Sequence, residues 1–259
     1  NVQFESFSIE GSLDHGVVLN NCSNVKIAGC TIKNVYNGMK ISKGKNITIQ
    51  SNDIYETGCL GIRIENVGDR AKLIDGNIII DNNHIHHVGR VQFTSFMSIA
   101  TAVGVTVSHN LMHDSPMAGV GHGRLNNCLF EYNEIHNIAL KESDTGTFYG
   151  YHNWSTYGNV YRYNFTHHTN RANGFYCDDG NSGNIHYNNI VHDSITALKF
   201  GGGHDNIGRN NLFIKNRNQH IDDRGVSRNY RLGTKYETEL RALKPFEEPW
   251  ASYGKKLQK

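Results

Sequence analysis

Short apolar alternations broken by an asparagine recur along the chain. The stretch Asn46-Ile-Thr-Ile-Gln-Ser-Asn52-Asp-Ile54 returns as Asn77-Ile-Ile-Ile-Asp-Asn-Asn83-His-Ile85 and as Asn127-Cys-Leu-Phe-Glu-Tyr-Asn133-Glu-Ile135. Measured on the anchoring residue, the series Cys30, Asn52, Asn83, Asn110, Asn133, Asn164, Asn189, Asn211 advances by 22, 31, 27, 23, 31, 25 and 22 positions. Each copy predicts two short strands flanking a polar corner, too short to bury a face alone and too rich in Gly and Asn for helix. Stacking resolves this: each strand pairs with its equivalent one coil away, about 4.8 Å distant, and like residues align in columns. The expected fold is all-β, a parallel β-helix of about eight coils. Asn suits its corner column because it tolerates left-handed backbone and its amide both donates and accepts along the stack.

Spacings above 22 mark insertions, which on a rigid scaffold tend to carry function. One lies around Asn66 to Asn77, the other between His136 and Asn159. From Asp222 the ladder stops; Tyr236 to Leu243 reads as a short helix, followed by Pro245, Pro249, Trp250 and Tyr253. The chain therefore divides into a β-helix over 1–222 and an extension over 223–259 that packs on it. It opens at Asn1 without an initiator Met and neither end carries a polar cap, so it reads as part of a longer protein.

Composition narrows the partners. The 26 Lys and Arg against 24 Asp and Glu give a net charge of +2, with no basic run to track a phosphate backbone, so nucleic acid is not an expected partner. The longest apolar runs, such as Ile78-Ile79-Ile80, fall far short of the ~20 residues that span a bilayer, so a membrane is not expected either. Five Cys without a CxxC pair read as buried thiols. Three residues past the ladder Asn, the column Tyr55, His86, His113, His136, His167, His192 reads as a hydrogen-bonded structural stack. Ligands on successive coils would lie along a line, which does not suit a tetrahedral ion, so no metal and no cofactor are expected.

A second column carries candidate chemistry. Aligning Gly119-Val-Gly-His122-Gly-Arg124, Gly146-Thr-Phe-Tyr149-Gly-Tyr151, Gly174-Phe-Tyr176-Cys-Asp178-Asp179 and Ala197-Leu-Lys199-Phe-Gly-Gly202 puts aromatics, acids, a Lys and bare glycines on one face. Such a face suits a sugar, whose rings stack on aromatics and whose hydroxyls bond to carboxylates and imidazoles. The substrate-binding candidates are His122, Arg124, Tyr149, Tyr151, His152, Trp154, Tyr176, Lys199, His204 and Asp205.

The run Gly174-Phe-Tyr-Cys-Asp178-Asp179-Gly180-Asn-Ser-Gly183, with Ala197-Leu-Lys-Phe-Gly-Gly-Gly203-His-Asp205-Asn206, resembles the right-handed parallel β-helix glycoside hydrolases of the α-L-fucosidase and xylanase type, within the pectate-lyase-like superfamily. Ser143-Asp144-Thr-Gly146-Thr-Phe-Tyr149 is similar to that family's stretch in which an Asp precedes a Gly and a Tyr strand. The resemblance covers roughly 84–223 and implies a right-handed coil and two acids. One lies upstream of the Tyr149 strand and one in the Asp178-Asp179 pair. Glycoside cleavage needs one protonated and one ionised carboxyl, so Asp144 and Asp178 are the catalytic candidates, with Asp179 as substitute and Asp205 in reserve.

Two other readings stay open. A polysaccharide lyase on the same scaffold would need a base and a cation for a uronate, supplied from Lys199, Arg124, His122, His152 and Tyr151. A non-catalytic carbohydrate-binding or adhesive β-helix needs neither. The expected substrate is a polysaccharide or oligosaccharide. The expected location is bacterial, secreted or periplasmic; nothing in the sequence fixes the oligomeric state.

Overall fold

A computed structural model describes residues 1–223 and 234–257. Its strands form three parallel sheets of nine, so the chain makes nine turns. The first sheet runs from Val2–Glu5 to Ile207–Arg209, the second from Ser8–Glu10 to Leu212–Ile214, and the third from His15–Asn20 to Asn218–Asp223. The sequence reading of about eight coils started at Cys30. The additional winding is the first, where Val2 pairs in register with Val25 but no Asn marks the corner. Ser6 turns that corner in the left-handed region instead.

Alternation decides what fills the tube. Ile47, Ile49, Ile54, Ile62, Ile64, Ile78, Ile80 and Ile85 all point inward and are fully buried, while their neighbours face solvent. In later coils aromatics take over: Phe130 stacks on Tyr161 with centroids 4.7 Å apart, and Phe148 on Phe175 at 5.1 Å.

The asparagine column forms an unbroken buried ladder. Asn133 Oδ1 accepts from the Asn110 backbone N–H at 3.0 Å and from Asn110 Nδ2 at 2.9 Å, while Asn133 Nδ2 donates to Val107 O and to Asn164 Oδ1. The left-handed residue, however, is the one before each ladder Asn: Ser51, Asn82, His109, Tyr132, Tyr163, Asn188 and Asn210 all have φ between 52° and 55°. The sequence reading assigned that conformation to the ladder itself. The ladder Asn instead satisfies backbone groups that the corner removes from the sheets. Replacing Asn133 by Ala leaves four buried polar groups without this partner, and we expect a loss of about 3 kcal/mol, read as a lowered urea midpoint. An unchanged midpoint would show the ladder to be dispensable.

The C-terminal extension contributes the helices Lys235–Ala242 and Ala251–Leu257. Trp250, Tyr253 and Leu240 form a second apolar cluster with Trp154 of the larger insertion. Trp250 Nε1 donates to Arg70 O at 2.9 Å, and Arg70 reaches Asn126 and Ser155. Insertions and extension thus pack together beside the third sheet. No helix among the described residues is long and apolar enough to cross a membrane.

Candidate active site

The outward positions of the third sheet fall into two adjacent columns. Gly121, Tyr149, Tyr176 and Lys199 are in register in the first. Gly123, Tyr151 and Asp178 follow at the next outward position, and Asp178 N–H donates to Gly150 O at 2.8 Å. Small residues at 121 and 123 leave a hollow beside large ones. A Cβ on Gly121 would lie 2.5 Å from the Tyr151 hydroxyl, so glycine there is what lets Tyr151 lie down along the sheet.

The result is a cleft of about 510 Å³ lined by the small residues Ser98, Ala100 and Gly123, by Tyr149, Tyr151, His152, Asn153 and Asp178, and by Lys235 and Tyr236 of the first helix. Arg124 lines it too, held by a paired contact to Glu239 that includes a 2.9 Å hydrogen bond from Nε. This contact pushes the Glu239 carboxyl below and the Arg124 guanidinium above their ordinary values. It also fastens the helix wall to the sheet.

At the centre Asp178, only 8% exposed, gathers donors. Its Oδ2 accepts from the Tyr149 hydroxyl at 2.8 Å, and its Oδ1 from the Asp179 N–H at 2.9 Å. His152 Nε2 lies 3.3 Å from both the Asp178 and the Asp179 carboxylates, and its Nδ1 is 3.3 Å from the Tyr236 hydroxyl. Burial, followed by Asp178, pushes the Tyr149 and Tyr176 phenols well above their ordinary value, so both stay protonated. Lys199 Nζ sits 4.2 Å from the centre of the Tyr176 ring.

The predicted residues separate into three groups. Arg124, Tyr149, Tyr151, His152 and Asp178 line the cleft; Tyr176, Lys199 and Asp179 adjoin it. Asp144 is exposed in the loop entering the strand Gly146–Gly150, its charge reaching Tyr149 and Tyr176 without the residue lining the cleft. The remaining four sit elsewhere. His122 faces the interior, 2% exposed, with Tyr161 Oη at 2.7 Å from its Nε2; it occupies an inward position of the strand that the sequence alignment treated as outward. Trp154, 4% exposed, belongs to the cluster under the extension. His204 meets the Tyr253 hydroxyl at 3.0 Å and Asp205 at 2.8 Å, which ties both to the extension and away from the cleft.

Lys235, Tyr236 and Glu239 escaped the sequence reading. The helix was legible, but its period gives no sign of which strand it faces. The metal question also returns here, since His152, Asp178 and Asp179 offer ligand atoms within 4.8 Å of one another.

A model of the family described as "Right handed beta helix region" matches residues 15–231. The chain belongs to that family. Among solved structures, this β-helix is similar to the Azotobacter vinelandii mannuronan C-5 epimerase AlgE6 A-module, with a TM-score of 0.69 at 13% identity over 82% of this chain and 58% of that one. A glycoside hydrolase gives 0.52 at 14% identity, over 88% of this chain and 41% of that one. An alginate lyase from Paenibacillus sp. str. FPU-7 gives 0.49 at 11% identity, over 83% and 79%. The chain thus spans 58% of the epimerase module's length, and likeness at these identities shows the fold. No curated protein matches in sequence.

Proposed function

We propose that this β-helix acts on a uronate-containing glycan by removing the proton at sugar C5. The observation that carries the reading is the make-up of the cleft: Asp178 is the single acid among its lining residues, His152 joins it to Asp179, and Lys235 stands beside the Arg124–Glu239 pair. Hydrolysis by a carboxylate pair needs a second carboxyl across the bond, about 5 to 9.5 Å away. Asp179 lies next to Asp178 on the same side of His152, and Asp144 stands outside the lining. A lysine beside a proton-transfer cluster suits an anionic sugar instead, because developing charge on the uronate carboxylate must be neutralised as C5 is deprotonated. The mannuronan named for the epimerase neighbour is a polymer of this class.

Each residue then has a part. With Nε2–H directed at Asp178 and Asp179, His152 keeps its lone pair on Nδ1, which accepts from the Tyr236 hydroxyl at 3.3 Å until the substrate takes that place and Nδ1 serves as the base, and the two carboxylates stabilise the imidazolium that forms. Lys235 and Arg124 face the uronate carboxylate. Tyr149 and Tyr151 offer hydroxyls to the sugar. Once the C5–H bond breaks, its electron pair either forms the C4–C5 double bond and expels the C4 oxygen, which takes the proton from the His152 imidazolium, or receives a proton from solvent on the opposite face, His152 then returning its own to water. The first outcome is a lyase and the second an epimerase; both begin alike. A polymeric substrate supports the secreted or periplasmic location expected from the sequence.

Polymannuronate, polyguluronate and polygalacturonate incubated with the chain in heavy water test this. Deuterium at C5, or unsaturated ends absorbing in the ultraviolet, is expected with at least one of them. New reducing ends that are saturated and carry no deuterium would instead establish hydrolysis. Binding without any chemical change would favour the adhesive reading.

A further inference from the structure

The second sheet carries its own cluster of imidazoles, on a different face from the cleft. His84 and His86 both point outward from the strand His84–His86, and His113 sits beside His86 in register one coil on. His86 and His113 stack with centroids 5.1 Å apart. The column alone would place ligands in a line, as the sequence suggested. His84, displaced sideways along its strand, turns the line into a triangle: one ligand atom from each of the three lies within 4.8 Å of the others.

The hydrogen bonds set where the lone pairs point. His113 Nδ1 lies 2.6 Å from Asp114 Oδ2, and His84 Nδ1 lies 3.2 Å from Asp53 Oδ1. A carboxylate only accepts, so each Nδ1 carries the proton and each Nε2 keeps its lone pair. Those two Nε2 atoms are 2.9 Å apart. Two lone pairs held face to face at that distance repel unless a cation lies between them. Carboxylates bonded to the far nitrogen of each ring are also the arrangement that orients histidine ligands and raises their basicity. His86 differs from its neighbours: its Nε2 lies 3.3 Å from Asp53 Oδ1, its Nδ1 2.7 Å from His87 Nδ1, and its ring stacks on both His84 and His113, so it packs against the pair and is not a ligand. We propose that His84 and His113 bind a divalent transition ion of the zinc class through Nε2, with Asp53 and Asp114 orienting the rings.

The dimensions fit. Zinc–nitrogen bonds of about 2.0–2.1 Å make the 2.9 Å separation a ligand–metal–ligand angle of about 90°. Widening to a tetrahedral angle needs a further ~0.4 Å, within reach of side chains that are 40% and 19% exposed. The ion would join two successive coils on the outside of the solenoid. It stands apart from the cleft, so it would raise stability without entering the reaction.

Calorimetric titration of the full chain with zinc chloride at pH 7.5 tests the site, beside titration of His84→Gln, His113→Gln and His152→Gln. The tightest zinc equivalent should weaken at least tenfold in the first two and be unaffected in the third. Zinc should raise the melting temperature of the wild type and of His152→Gln, and not of the other two. These surface substitutions leave the interior intact, and circular dichroism checks that each variant folds. Zinc affinity that follows His152, or wild-type affinity in His84→Gln and His113→Gln, overturns the proposal. So does a wild type that binds no zinc, which would mean that the two Nε2 atoms share a proton.

Discussion

Changing Asp178 to Asn should reduce turnover on the responsive polyuronate by about 10² to 10⁴-fold while leaving the fold in place. Asparagine fills the same volume and its Oδ1 still accepts from the Asp179 N–H. Its amide, however, presents N–H groups toward the Tyr149 hydroxyl and His152 Nε2, where a carboxylate had accepted. His152 then loses one of the two anions that hold its ring and stabilise its imidazolium. The damage falls on the chemical step, so kcat should fall far more than KM rises. Two companion variants separate the readings. Asp144→Asn should cost little if C5 deprotonation is the reaction, whereas hydrolysis with Asp144 as the second carboxyl predicts a loss as large as that of Asp178→Asn. Asp205→Asn, tied to His204 away from the cleft, should retain wild-type rate. If Asp178→Asn keeps full activity, Asp178 takes no part in proton transfer and the proposed chemistry fails.

The difference between what the sequence conveyed and what it withheld has a physical basis in this fold. Stacking aligns like residues, so any side chain that bonds to its own copy one coil away must recur at the coil period; Asn52 through Asn211 and the Tyr55 to His192 column were legible for that reason. Most of the cleft face was legible as well, because Tyr149, Tyr176 and Lys199 share a column. Period alone does not say which of two alternating positions faces inward when both are polar. His122 is flanked by glycines and is itself polar, so it was assigned to the surface, although Val120 two residues upstream on the same strand marks its face as inward. The far wall was illegible for a different reason. Glu239 meets Arg124 and Tyr236 meets His152 through contacts between segments more than 80 residues apart, and Lys235 reaches the cleft on the same helix, all set by how the extension docks and not by any repeat.

The misplaced histidine carries the second large expectation: the solenoid should lose about 4 kcal/mol between pH 7.5 and pH 5. His122 and His186 are each 2% exposed inside the tube, packed against Tyr161, and burial depresses both to about 3. In the unfolded chain an imidazole titrates near 6.5. Between these values the unfolded state binds protons that the folded state refuses, so the stabilising effect is complete above pH 6.5 and declines as pH falls toward 3. At pH 5 each residue accounts for about 2 kcal/mol, a large share of the ~5–15 kcal/mol that holds a typical domain together. The depressed carboxyls of Glu65, Asp81, Asp114 and Glu239 act lower, as pH drops through the acid range below about 4.5. The outer column contributes less per residue, because His84, His86, His136 and His167 are partly solvated. Replacing His186 by Phe keeps an aromatic ring against Tyr161 and removes one titrating site, so the fall in urea midpoint from pH 7.5 to pH 5 should shrink by close to half. An identical fall in the variant would place the acid sensitivity outside the core. Because the strand of His122 also supplies Gly121, Gly123 and Arg124 to the cleft, protonating the interior should abolish activity together with the fold, not ahead of it.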